Sequence, residues 1–425
     1  MMMIVRQLRL FLLVTNRGMT ATSMPDNRSS SKSSRINGKP IFFFHIGIPK
    51  SGTTTLQCGL SNLAKRLASE ASLYFLGKSC GGIDLLQQNN ETALRPHYLQ
   101  FNLKSKEGTG YAMTELQNRL QYHYSLHGHS TLLSVEAMAA AMVGEPPEIW
   151  HRLLNISQDW HTRILIGYRH FFEWLPSVYF QAHQNGANKN WLKSRPSLID
   201  YMHQHQLVHG VEWETAVQQS NATFVAAEVH PTIAAFRDYS KYFDDVQIFD
   251  IHQSGDLTQN FVCEMLSPVT DRFCQKDSNA EVLLHQSGAE RQSFFLDAER
   301  LTEAAFQKGY FSNQPNKANT IKAISTKLLD SSSPSFSNFT THPYYRVCLS
   351  TVGERRLYNM SWSLYQDIRH DPAFHSHTQE ESSTKEAFDQ LFETARAKQK
   401  FCEIDTDRVL ADVVFRSYLE TLNTI

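Results

Sequence analysis

Apolar positions recur along this chain in two rhythms. Ile41-Phe-Phe-Phe-His-Ile-Gly47 is an almost unbroken apolar run of β-favouring residues, the pattern of a strand buried on both faces of a parallel sheet. Just downstream, Leu56, Leu60, Leu63 and Leu67 repeat at spacings that put them on one side of a helix. The predicted order is strand, glycine-containing turn, helix. Thr131 to Val135, Arg163 to Arg169, Ala222 to Ala227 and Asp245 to Ile251 are further strand-length runs. Several are separated by enough chain to cross over a parallel sheet. The pattern predicts an α/β fold, a three-layer α/β/α arrangement around a central, mainly parallel sheet. Residues 311 to 345, rich in Ser, Asn, Thr and Pro, read as a long loop or insertion. Glu386 to Lys400 and Asp405 to Leu422 read as helices, with Phe388, Leu391, Phe392 and Ala395 on one stripe. They predict a C-terminal helical extension packed on the core.

Length and charge narrow the partners. The chain has 425 residues, 41 Lys+Arg against 42 Asp+Glu, and a net charge of −1. Duplex nucleic acid and anionic membranes call for a basic surplus, so neither is expected as a partner, and any anion must be held by a local site. No run of ~18 apolar residues occurs, which excludes a multi-span membrane protein. The first residues carry Arg6 and Arg9 around a short apolar stretch, Leu8 to Val14, with no acidic residue before Asp26. A weak secretory signal, a truncated single anchor and an organellar transit peptide all fit. Serine-rich Asn27 to Ser34 reads as a linker. The expected division is a targeting and linker segment over 1–38, a catalytic domain over 39–310, and a loop-rich insertion with the helical extension over 311–425. Six cysteines (Cys58, Cys80, Cys263, Cys274, Cys348, Cys402) and sequons at Asn27, Asn90, Asn155, Asn221, Asn338 and Asn359 lean toward a secretory lumen. Cys263 and Cys274 would close a small loop if oxidised, or stay ordinary buried thiols.

The turn after the first strand carries the chemistry. A strand, a glycine turn and a helix present backbone N–H groups and the positive end of a helix to an anion. A Walker A loop has its lysine directly after the second glycine; here Gly47 and Gly52 keep the glycine spacing, but Thr53 stands at the lysine position and Lys50 lies inside the loop. That departure weakens a nucleoside triphosphate kinase. The stretch Pro49-Lys50-Ser51-Gly52-Thr53-Thr54-Thr55 instead resembles the 5′-phosphosulfate loop of sulfotransferases that use 3′-phosphoadenosine 5′-phosphosulfate (PAPS), in their carbohydrate and bacterial branch. The resemblance implies a P-loop-like turn in which Lys50 stabilises the leaving phosphate while loop amides and hydroxyls hold the 5′-phosphate. It also calls for an Arg at the end of another strand and a Ser eight residues on, together binding the 3′-phosphate. Arg169 and Ser177 have that spacing. Pro176 implies a helix that starts there or is kinked. Phe261 to Leu266 is similar to the helix after the family's last core strand. Lys308-Gly309-Tyr310 matches a Lys-Gly element that touches the 3′-phosphate in some members. The resemblance covers about residues 40 to 310.

Sulfuryl transfer to a hydroxyl needs a group to take the acceptor proton. Glu136 is the first choice, because it follows a core strand and Ser134-Val-Glu136 is similar to the Ser-x-Glu of several family members. Its other reading is a helix N-terminal carboxylate. His45 is the second choice, or else a hydrogen-bonded core histidine. His123, His127 and His129, and His203, His205 and His209, have ligand-like spacings but no completing Cys or carboxylate, so no metal is expected; the family's transfer needs none. Lys189, Trp191, Lys193 and Arg195 suit a sugar ring with an anionic group, or simply form a solvated loop. The resemblance implies transfer of a sulfuryl group from PAPS to an acceptor hydroxyl, with a glycan the leading acceptor and a protein tyrosine or a small alcohol also open, in the Golgi lumen or else an organelle or the cytosol. The alternatives are a non-catalytic relative that binds nucleotide or glycan, and a kinase.

Overall fold

The computed structural model describes residues 36, 38–47, 52–77, 111–127, 129–136, 138–184, 197–202, 230–252, 256–276, 289–311, 316–330, 334–375 and 381–422. Ser34–Ile425 form one compact unit. Its centre is a six-stranded sheet built from β1 (Ile41–Gly47), β2 (Leu73–Leu76), β3 (Ser130–Glu136), β4 (His161–Tyr168), β5 (Asp245–Asp250) and β7 (Phe374–His375), in the order β2-β3-β1-β4-β5-β7. Every pairing in it is parallel. A separate antiparallel pair joins β6 (Arg346–Cys348) to β8 (Cys402–Ile404).

Alternation along the strands divides the core. Phe42, Phe44 and Ile46 of β1 pack with Ile164, Ile166 and Tyr168 of β4 under the helices Pro147–Ile156, Phe171–Gln184, Thr351–Arg369 and Glu381–Ala397. Ile41 and Phe43 face the other way, onto Leu56, Leu60, Leu63 and Leu67 of the helix Thr53–Ala71 and onto Phe261 and Val262. Strands buried on both faces by helices make the three-layer α/β/α architecture that the apolar runs predict. The second layer also contains a disulfide between Cys263 and Cys274, the small loop considered for those residues.

The C-terminal part differs from the expected loop and extension. Residues 311–345 contain helices at Lys317–Leu328 and Pro334–Thr341. The first begins where the Asn316 side chain accepts the Ala318 and Asn319 N–H groups, so a residue counted as loop-forming acts as a helix cap. These helices share a third apolar cluster with Val413–Leu422. In contrast, β7 adds a strand to the central sheet, and the helices Thr351–Arg369 and Glu381–Ala397 complete the main core. A disulfide between Cys348 and Cys402 ties β6 to β8. The strand expected over 222–227 lies outside the described residues. Among the described residues no helix is long and apolar enough to cross a membrane.

Candidate functional site

The fold itself points to one edge of the sheet. After β1 the chain enters the Thr53 helix on one face, and after β4 it enters the Phe171 helix on the other. After β5 it returns to the first face through the short helix Leu257–Asn260, which continues into Phe261–Met265. Neighbouring strands whose helices leave to opposite faces open a crevice outside their carboxyl ends, where open α/β sheets bind ligands.

At the β1 end the geometry is made by backbone. Gly52 has φ 76° and stands as N-cap of the Thr53 helix, with no side-chain cap and no acidic residue in the first turn. The left-handed conformation suits glycine; a Cβ there would also approach Leu257 Cδ2 to 3.3 Å. A Cβ on Gly47 would collide with Thr53 Oγ1, so the strand end and the helix start close on each other only because residue 47 is glycine. Thr53 is buried and Thr55 half-buried, while Thr54 continues the helix backbone. Pro49, Lys50 and Ser51 lie outside the described residues. Across the sheet Gly47 pairs with Glu136, the last residue of β3, so the backbone of the expected base ends level with the turn.

His45 is a core residue. Its ring is fully buried, sits 5.7 Å from Phe249 and 5.4 Å from Phe261, and places Nδ1 2.8 Å from Ser134 Oγ. Gln57 Nε2 donates to the same hydroxyl at 3.1 Å. Burial lowers the imidazole pKa to about 3, so the ring is neutral at ordinary pH and shielded from any acceptor. The expectation that it is a second candidate base is therefore corrected: the dry aromatic setting favours its other reading.

At the β4 end the geometry is made by charges. Arg169 follows β4 directly, and His230 Nε2 donates to its carbonyl at 3.0 Å, which pins the backbone there. The guanidinium meets Glu173, one helical turn on, through Nε at 3.3 Å and Nη2 at 3.4 Å. Lys400 donates to the same carboxylate at 2.6 Å. Burial alone would raise the Glu173 carboxyl, but His252, Arg169 and Lys400 hold it well below the usual carboxylate range. His252 is itself pushed down by burial, and its Nε2 accepts the His170 N–H at 3.2 Å. Its Nε2 also lies 3.5 Å from the Glu173 carboxylate, beside the contacts from Arg169 and Lys400. The helix starts at Phe171 and runs through Pro176, so the alternative of a start at Pro176 does not hold. The Ser177 hydroxyl donates to the Glu173 carbonyl at 2.8 Å.

Two further groups of residues have local geometry of their own. Lys308 pairs with Asp407 at 2.7 Å, and Gly309, at φ 72°, ends the helix Ala289–Gln307 with Tyr310 N–H bonded to the Ala305 carbonyl. That is a helix C-cap, the local job glycine does best, which accounts for Gly309 without a ligand. His170, Asp250 and His252 bring ligand atoms within 4.8 Å of one another. The two imidazoles, however, stack 4.3 Å apart and 6° from parallel, so their in-plane lone pairs do not converge on one ion. His123 is buried against Tyr74 at 3.9 Å. Lys189 to Arg195 and His203, His205 and His209 lie outside the described residues.

Glu173, His252 and Lys400 escaped the sequence reading. Glu173 was legible as the i+4 partner of Arg169; Lys400 sits 227 residues from Glu173 and carries no local signal. No protein-family model matches the chain, and no curated protein is found to be similar to it.

Proposed function

We propose that this chain is a sulfotransferase that moves a sulfuryl group from PAPS to an acceptor hydroxyl, on a carbohydrate. One observation supports the reading: Gly52, in the left-handed conformation, starts the Thr53 helix just after β1, and β1 pairs with β4, which Arg169 follows directly with Ser177 eight residues on. The turn would receive the 5′-phosphosulfate through main-chain N–H groups and Lys50, and Arg169 would receive the 3′-phosphate. The acceptor oxygen attacks sulfur along the line of the leaving group. An O–S bond forms, the S–O bond to the 5′-phosphate breaks, and adenosine 3′,5′-bisphosphate leaves. Glu136 takes the acceptor proton. Positioning and charge stabilisation supply most of the acceleration, as in phosphoryl transfer.

A secretory lumen, the Golgi above all, suits this chemistry. The disulfides Cys263–Cys274 and Cys348–Cys402 fit an oxidising compartment, and the sequon residues Asn155, Asn338 and Asn359 are all exposed. The pairing of Arg169 with Glu173 favours a second reading, a relative that binds the nucleotide without turning it over.

A thermal-shift comparison tests the reading. Adenosine 3′,5′-bisphosphate raises the melting temperature more than ATP with Mg²⁺, and transfer of labelled sulfate to a glycan panel is lost in Lys50→Ala. An ATP preference would overturn it in favour of a kinase, and bisphosphate binding without transfer would select the second reading.

A further inference from the structure

We infer that Lys400 is the second cation of the 3′-phosphate pocket, held beside Arg169 by Glu173 as a positioning residue; this rests on the nucleotide reading above. Glu173 draws on two elements far apart in the chain: Arg169, one helical turn before it, and Lys400, which follows the helix Glu381–Ala397. Around this carboxylate stand two permanent cations. His252 is pushed down by burial and uses Nε2 as an acceptor, and Asp250 is fully buried, pushed up by burial, and accepts the His252 N–H. Arg169 and Lys400 are thus two cations held on the single carboxylate of Glu173. Glu173 takes only one of the three donors that an ammonium offers, and Lys400 is 37% exposed, open to an incoming anion.

The chain is shaped to deliver this lysine. Lys400 N–H bonds back to the Ala395 carbonyl, and Gln399 takes φ 52°, a left-handed conformation that is costly for a residue with a side chain. That turn reverses the chain just before Lys400. On its other side Phe401 is buried against Phe392 at 5.3 Å, and its carbonyl accepts the Leu349 N–H. Cys402 is then fixed by its disulfide to Cys348. A lysine clamped on both sides and aimed at the carboxylate beside Arg169 adds a point charge to the planar fork of the arginine, the two forms of cation that recognise phosphate.

The full chain and its Lys400→Gln and Lys400→Arg variants, titrated calorimetrically with adenosine 3′,5′-bisphosphate and with adenosine 5′-monophosphate, test the inference. Glutamine keeps a donor for Glu173 and removes the charge. The wild-type chain binds the bisphosphate more tightly; Lys400→Gln loses about tenfold on the bisphosphate and nothing on the monophosphate, and Lys400→Arg restores most of the loss. Equal weakening of both ligands, or of neither, overturns the inference and leaves the nucleotide reading standing. A wild-type chain with no preference for the bisphosphate overturns both.

Discussion

Under the proposed nucleotide reading, the two ends of the crevice would bind by different means. At the β1 end the donors would be main-chain N–H groups at the start of the Thr53 helix, where the N-cap is Gly52. At the β4 end the donors are Arg169 and Lys400, already engaged by Glu173. A backbone site offers its donors at no cost in side-chain ordering but has no adjustable part, so it tolerates almost no substitution at its glycines. A side-chain site is graded, since each cation can be removed separately and the carboxylate sets how tightly they are held. The difference suits a nucleotide with two phosphates, one next to the reacting sulfur and one used only for recognition.

Substitutions at the two ends should separate these roles. The largest effect is expected from Gly52→Val, which forces a β-branched residue into a left-handed conformation against Leu257. It should remove both bisphosphate and monophosphate binding in calorimetry and destabilise the fold by about 2 kcal/mol. Loss of only the bisphosphate preference would mean that the two ends have been assigned the wrong way round.

Acid stability should also divide between them. His45, beneath the β1 end, has a pKa lowered to about 3, and His230, which pins Arg169, to about 4. A depressed pKa gives stability that is present above the unfolded value of about 6.5 and lost as pH falls toward the folded one. Glu173 is also depressed, but its share is present above about 4.3 and lost only below that. Denaturation midpoints of His45→Asn should therefore show a shallower fall between pH 6.5 and 4.5, by up to about 1.4 kcal/mol per pH unit. Glu173→Gln should leave that window unchanged and flatten the profile below it. The smallest effect is expected from Gln399→Gly, which relieves the left-handed turn and should change stability by less than about 1 kcal/mol in urea titrations.

Much of the central sheet was legible because its strands are buried on both faces, and such strands write themselves as apolar runs: β1, β3, β4 and β5 each match one. The strand β2 is four residues long and follows the Thr53 helix almost at once, too short for a period to develop. Composition misled over 317–328, because Asn and Ser count toward loops unless their capping position is recognised. In the site, the glycine that starts the Thr53 helix and the arginine after β4 were readable as local spacings. His45 stayed ambiguous, since only packing against Phe249 and Phe261 decides between a base and a core ring. The pairing of Glu173 with Lys400 exists only through tertiary structure, and no pattern within a short window announces it.

The short strand β7 has a consequence for how the chain comes to fold during synthesis. It covers the outer edge of β5, yet Phe374 is translated long after Asp250. At about 5–20 residues per second, β5 would wait on the order of ten seconds with an open row of backbone donors and acceptors. Such edges recruit other chains. A nascent chain of this protein is thus most exposed to aggregation in that interval, and chaperone dependence should fall once residue 375 has emerged from the ribosome.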